Sequence, residues 1–306
     1  MFVVRLRKWF FVLSTFLVAL SFYGMFVYGF NLGIDFRGGT ITEVRYPPAQ
    51  TGEGARPEKM LVESSISSLS LGGFSVRPSG EDSYIIRTKE LSVEEGAALI
   101  ESLKIGAGMA PVVERSNTIG PVAGTELKDK AVKAILVVVL VIVLFVTFAF
   151  RKVSRPVASW KYGLATIVAL SHDLIIPTGV FIFLGRLYGL EIDLLFVGGL
   201  LAILGYSVHD TIVVFDRVRE NLRINHETRT DEEFEAVVGR SVTQTMARSI
   251  NTSLTLLITL LALYFIGSST TKDFALLLII GVVAGTYSSI FLASPLLVTF
   301  YKLQKK

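Results

Sequence analysis

Two His-Asp pairs, His172 with Asp173 and His209 with Asp210, fall inside long apolar runs, and Arg248 stands just ahead of another such run. Ionisable side chains are costly to keep in hydrocarbon, so each of these residues is a functional candidate by default. Desolvation favours the neutral form of a carboxylate, and a nearby guanidinium favours the charged form. An aspartate with a movable arginine partner is therefore poised between the two, which is the chemistry of a proton-coupled switch. At a rise of about 1.5 Å per residue, Asp210 lies about four turns beyond Leu194 and roughly 9 Å short of Asp216, so Arg248 reaches it if their helices are neighbours. The candidate relay is then Asp210 and Arg248, with Asp173 and His209 as further members. The residues alone leave a second reading open, in which Asp210 pairs structurally and Arg248 is a basic flank at the membrane boundary.

Other chemistries fit less well. His and carboxylate ligands suit zinc or iron, yet His172 and His209 lack a zinc-site spacing such as H-E-x-x-H. Neutral, hydrogen-bonded histidines in helix interfaces account for them more simply, and no metal is expected. A membrane aspartyl protease needs two carboxylates in one site, and nothing in the sequence brings Asp173 to Asp210. The chain has no cysteine, which excludes a disulfide framework, a thiolate metal site and a Cys nucleophile. Gly38 and Gly39 are not followed by Lys-Ser or Lys-Thr opening a helix, so a turn into a strand is expected rather than a phosphate loop. With no nucleophile-base constellation and no cofactor motif, an enzyme is not expected, and an ion gradient or a partner must supply any energy for work.

The elements that position these residues follow from composition. The 306 residues are 51% hydrophobic and 18% charged, against roughly 25% charged in soluble domains. Six apolar runs approach the ~20 residues needed to cross hydrocarbon: residues 9–30, 134–150, 162–184, 194–215, 249–267 and 274–301. The second is short, so its helix is expected to extend. The first is too long for a signal peptide and no small-x-small cleavage site follows it. Basic residues cluster at Arg5, Arg7 and Lys8, at Arg151, Lys152, Arg155 and Lys161, through residues 217–248, and at Lys302, Lys305 and Lys306, whereas the alternate short loops hold only Arg186 and Lys272. The positive-inside rule then puts both termini in the cytoplasm, and the net charge of +4 marks topology rather than nucleic-acid binding.

Three parts result. Residues 1–30 hold the cytoplasmic N-terminus and first span, 31–130 an extracytoplasmic α+β domain, and 131–306 the second to sixth spans with cytoplasmic loops and C-terminus. Within the domain, strands at residues 41–46, 74–77, 83–88 and 112–118 and helices at 57–69 and 92–103 give the order β-α-β-β-α-β of a ferredoxin-like fold. Pro57 suits a helix first turn, and Ser92 with Glu95 suits a capping box. Small residues at Gly198, Ala202 and Gly205, and at Gly281 and Gly285, have the spacing of close membrane helix contacts. Asn251, Thr252, Ser253 and Thr255 give the fifth span a polar face that serves either as interhelical glue or as the lining of a wet path.

Several stretches together resemble the SecD and SecF protein-export membrane proteins. They are Asn31-Leu32-Gly33-Ile34-Asp35-Phe36-Arg37-Gly38-Gly39-Thr40 after the first span, Ile119-Gly120-Pro121 with Gly124 before the second, Gly205-Tyr206-Ser207-Val208-His209-Asp210 through Arg217 in the fourth, and Gln244-Thr245 through Arg248 to Ser253 in the fifth. The pattern is similar to SecF rather than SecD. The resemblance implies a heterodimer with SecD, docked beside the SecYEG channel with accessory translocase subunits in the bacterial cytoplasmic (inner) membrane. It also implies that the proton motive force drives movements acting on an unfolded preprotein, and that Asp210 and Arg248 correspond to the family's relay residues. The family more often has Asn where His209 stands, and the loop at residues 225–235 is longer and more acidic than the pattern implies. An alternative is half of a proton-coupled exporter of small molecules or lipids, of the resistance-nodulation-division kind.

Overall fold

A computed structural model describes residues 2–47, 56–105, 110–151 and 157–304. Lys152, Arg155, Lys305 and Lys306, four of the basic residues used for the topology, lie outside the described residues. In chain order the elements are α1 (Phe2–Arg5), α2 (Arg7–Tyr28), α3 (Ile34–Arg37), β1 (Gly39–Arg45), α4 (Lys59–Ser67), β2 (Ser75–Ser79), β3 (Ser83–Thr88), α5 (Val93–Ser102), β4 (Val112–Ile119), α6 (Pro121–Ala149), α7 (Ser159–Tyr188), α8 (Leu194–Glu227), α9 (Phe234–Ile266) and α10 (Ser269–Ser288). A π turn (Ser289–Ala293) then leads into α11 (Ser294–Gln304). Two compact units form, one from residues 31–132 and 191–194, the other from the remainder.

The smaller unit carries a four-stranded antiparallel sheet in the order β2-β3-β1-β4, the ferredoxin-like arrangement. Alternation sends Val44, Tyr46, Val76, Tyr84 and Ile86 into one core with Val62 and Ile66 of α4, Leu99 of α5 and Leu103 at its C-cap. Burial holds the Tyr46 hydroxyl up to about 12, so it stays protonated and donates to the Leu103 carbonyl at 3.0 Å. The expected capping box is present, with Glu95 N–H bonded to Ser92 Oγ at 3.2 Å and Ser92 N–H bonded to Glu95 Oε2 at 2.9 Å. Pro57 is not in a helix first turn. The helix starts at Lys59, and the Pro57 carbonyl accepts the Tyr84 hydroxyl at 2.7 Å instead.

The Gly38-Gly39 pair is a turn into β1, with φ of 78° and 126°. A Cβ on Gly39 would sit 2.5 Å from the Thr88 carbonyl oxygen, so both conformation and space demand glycine there. Around it the 31–37 segment holds residues 191–194. Gly33 N–H donates to the Ile192 carbonyl at 2.8 Å, Ile192 N–H to the Asn31 carbonyl at 2.8 Å, and Leu194 N–H to Asp35 Oδ2 at 2.8 Å. Arg87 pairs with Glu191 at 2.8 Å, and burial raises the Glu191 carboxyl above its usual range against the opposing pull of that arginine.

The larger unit is helical, and six helices among the described residues are long and apolar enough to cross a membrane, so the chain is a multi-pass membrane protein. Their outward faces carry Trp9, Phe16, Phe26, Leu136, Leu140 and Leu144, all exposed. Inside, Phe150, Tyr162 and Phe215 stack face to face and edge to face. Helices overrun their apolar runs: α6, whose run is short, starts at Pro121, α7 continues to Tyr188, α8 continues to Glu227, α9 begins at Phe234 and α10 begins at Ser269. Of the expected small-residue contacts, Gly281 and Gly285 of α10 press against Ile203 and Ser207 of α8, whereas Gly198 and Gly205 have no such neighbour within 4 Å and face outward. Close approach on α8 runs through Gly199 instead, beside Leu277.

Candidate functional site

The middle of the helical unit holds two carboxylates in unlike settings. Asp173 sits on α7 and is fully buried. Its Oδ1 is hydrogen-bonded to His172 Nδ1 at 2.8 Å, and its Oδ2 accepts from Ser288 Oγ of α10 at 2.6 Å and from Ser207 Oγ of α8. His172 stacks on Tyr287 with centroids 5.7 Å apart. Tyr287 in turn donates to the Phe10 carbonyl at 2.9 Å and accepts from Ser14 at 3.3 Å, both on α2. One carboxylate therefore ties together α7, α8 and α10, and its histidine partner reaches α2 through a single ring.

The backbone on both sides of this knot is broken. Pro177 of α7 has no N–H to offer the carbonyl four residues back, which belongs to Asp173. The π turn at Ser289–Ala293 follows directly on Ser288, and Ser294 Oγ reaches back to the Ser289 carbonyl at 3.3 Å. Such turns accommodate an irregular hydrogen-bond ladder and recur at functional sites; here Pro295 is one residue further on and needs the space.

Asp210, on α8, is 6% exposed. Its Oδ1 accepts from Ser249 Oγ of α9 at 2.5 Å, while its buried Oδ2 has no hydrogen-bond partner among the described residues. Ser253, one turn along α9, donates to the Ser249 carbonyl at 2.7 Å and is hydrogen-bonded to Tyr206 and to Thr286, each at 2.6 Å. Thr211 and Ser289 are joined at 2.9 Å. Arg248 is exposed and forms no ion pair among the described residues; the neighbouring Ser249 occupies the position facing Asp210. His209 is exposed on α8. The structure thus brings His172 to Asp173 and α9 to Asp210, and it gives Asp173 and Asp210 separate partners.

Sequence reasoning missed Ser207, Ser288, Ser289, Tyr206 and Thr286. The available signal was hydroxyl residues four apart inside apolar runs, as in Ser207 with Thr211 and Ser249 with Ser253, which line one helix face. Of the polar face expected on α9, only Ser253 turns inward; Thr252 and Thr255 are exposed and bond carbonyls of their own helix. Among the described residues no group of three or more His, Asp or Glu could hold a metal. On the cytosol-expected side, Asn221 bonds Ser241 and Gln244, Glu232 pairs with Arg240 at 2.6 Å, and Glu235 pairs with Arg7 at 2.7 Å and with Lys302. Glu232 of the long loop, bonded also to Asn225, therefore fastens the overrun of α8 to α9, and Glu235 fastens α9 to α2 and α11.

Residues 101–303 match the family model described as protein export membrane protein SecD/SecF, C-terminal, and residues 23–47 match the SecD/SecF GG motif. The protein translocase subunit SecF of Thermobaculum terrenum is 40% identical over 97% of this chain and 93% of its own length; that of Sebaldella termitidis is 35% identical over 99% and 92%. The crystal structure of SecDF, a translocon-associated membrane protein from Thermus thermophilus, aligns with a TM-score of 0.80 and 33% identity over 99% of this chain. This chain spans 38% of that protein's length. Helices, sheet, glycine turn and sequence agree: the chain belongs to the SecD/SecF family of protein export membrane proteins and groups there with the SecF translocase subunits.

Proposed function

We propose that this chain is the SecF half of a SecD-SecF unit in the bacterial cytoplasmic membrane, with both termini in the cytoplasm and the sheet-bearing unit outside. Proton flow past Asp210 drives movements that promote preprotein translocation through SecYEG and release on the outer side. The single observation that carries this reading is the half-partnered carboxylate of Asp210, buried within the fourth span with Oδ2 left open. A buried carboxylate lacking a partner is stabilised by gaining a proton or a cation. Arg248 adjoins Ser249, so turning α9 by one residue, about 100°, exchanges a hydroxyl for a guanidinium beside Asp210. In one arrangement the carboxylate holds a proton; in the other it is charged and paired. His209, next to Asp210 on the outward face of α8, adds a second titratable group to the path, while Asp173 holds the surrounding helices together. One charge crossing the field is worth about 2.3 kcal/mol per 100 mV, enough to shift such an equilibrium.

The test is preprotein translocation into inverted vesicles containing the partner subunit, with and without a proton gradient, comparing the native chain with Asp210→Asn. Loss of the gradient-dependent part with the complex still assembled makes Asp210 the coupling carboxylate. Its survival would make this subunit a scaffold or move the path elsewhere.

A further inference from the structure

α9 carries a row of buried hydroxyls, and one buried amide fixes that row at its cytosol-expected end. Ser241, Thr245, Ser249 and Ser253 recur every four residues along α9, and all are buried. Ser249 meets Asp210. About three turns further along α8, Asn221 is 1% exposed and gives its Nδ2 group to Ser241 Oγ at 2.8 Å and to Gln244 Oε1 at 2.9 Å. Gln244 Oε1 also accepts from Arg217 Nε at 2.7 Å, and Ser241 Oγ donates to the Val237 carbonyl at 2.8 Å. Both amide hydrogens of Asn221 are therefore used, on acceptors that are themselves held. Turning α9 by one residue replaces Ser241 with Arg240, Gln244 with Thr243 and Ser249 with Arg248. Arginine carries donors only, so an Asn221 N–H then lacks an acceptor in a buried place, where an unmet donor is costly. The pairs Glu232–Arg240 and Glu235–Arg7, at the same end of α9, are made by long, partly exposed side chains. These can follow a turning helix, and exposed pairs are weak; the short Asn221 amide cannot follow.

We propose that Asn221 is the positioning residue that sets the rotation of α9 and thereby decides whether Ser249 or Arg248 faces Asp210. This rests on the exchange at Asp210 proposed above and names what biases it. A single buried Asn is enough to fix the register of packed helices, because each wrong register strands its amide. Every turn of an α-helix is bonded to the next, so a rotation fixed at Ser241 and Gln244 is passed along α9 to Ser249. Asn221 thus acts from about 16 Å along α8. In the observed register its amide is satisfied, Ser249 bonds Asp210, and the carboxylate keeps its open oxygen. Asn221 therefore favours the arrangement in which Asp210 takes up a proton. The charged arrangement, paired with Arg248, is reached only by giving up the hydrogen bonds of that amide.

The chain has no cysteine, so disulfide trapping can read the rotation directly. Ser253 Oγ lies 2.6 Å from Thr286 Oγ1 of α10, and turning α9 by one residue brings Thr252 into the place of Ser253. Full-length chains carrying Thr286→Cys with either Ser253→Cys or Thr252→Cys are placed in membranes with the partner subunit and channel and oxidised without a proton gradient. Bridging through Ser253→Cys should exceed bridging through Thr252→Cys, and adding Asn221→Leu should shift the ratio toward Thr252→Cys several-fold. Ser241→Ala should move the ratio the same way by less, and it decides the matter if Asn221→Leu chains do not accumulate. An unchanged ratio, or yields that fall together in both pairs, would overturn the proposal, because a merely structural Asn loosens the bundle without turning one helix. Gradient-dependent translocation by native and Asp210→Asn chains is measured in the same membranes. An unchanged ratio with translocation dependent on Asp210 removes only the role of Asn221, whereas gradient-dependent translocation that survives Asp210→Asn removes the relay reading and this inference with it.

Discussion

Asp173 and Asp210 are both buried aspartates, set in adjacent helices of one bundle, and they differ in what surrounds them. Asp173 is held by a histidine and two serine hydroxyls from three helices; Asp210 has one serine and an open oxygen. A carboxylate whose acceptors are satisfied by fixed donors resists change, because every alternative leaves a donor unpartnered in low dielectric. One with an open oxygen has an unmet requirement that a proton or a cation satisfies. Like chemistry therefore leaves the two carboxylates with different unmet requirements, and the count of donors sets the difference.

The comparison can be broken first at Asp173. Asp173→Ala strands the donors of His172, Ser207 and Ser288, and should cost about 3 kcal/mol in an SDS unfolding titration of the purified chain; a loss under about 1 kcal/mol would erase the distinction. Asp210→Ala removes a single interhelical hydrogen bond and should cost about 1 kcal/mol in the same titration. A double-mutant cycle of Asp210→Ala with Ser249→Ala sharpens the contrast further, with an expected coupling of about 0.6 kcal/mol. Outside the hydrocarbon, Glu235→Gln loosens the pairs to Arg7 and Lys302 and should cost about 0.5 kcal/mol, vanishing in high salt, where the Asp173 effect persists.

How much of this was legible in sequence varies by element. The six spans are readable because about 20 apolar residues have few other solutions, and the ferredoxin-like order is readable because Ser92 with Glu95, Gly39 and the alternating strands each carry local signals. The lengthening of α6 is readable from its short apolar run, but the ends of α7, α8 and α9 are not, since a helix continues past the hydrocarbon wherever tertiary packing supports it, as Asn221 and Arg240 do for the α8 and α9 overruns. Asp173 and Asp210 stood out by charge alone. Their serine partners did not, because a serine in an apolar run looks the same whether it bonds its own helix, as Ser21 does, or a carboxylate on another. The facing of Ser249 rather than Arg248 toward Asp210 depends on helix rotation, a quantity that spacing along one helix does not contain. Likewise Gly198 and Gly199 are neighbours of the same type, and only the fold tells which one meets α10.

The missing rung at Pro177 and the π turn after Ser288 have a mechanical consequence. A helix bends most easily where its hydrogen-bond ladder is interrupted, so α7 and the sixth span are least stiff at the level of Asp173 rather than at the membrane surfaces. Their compliant points meet at a carboxylate that binds both helices, in the way a pin passes through two hinged plates. Flexing on either side of that pin tilts the outer and inner halves of these helices in opposition and leaves the pin in place.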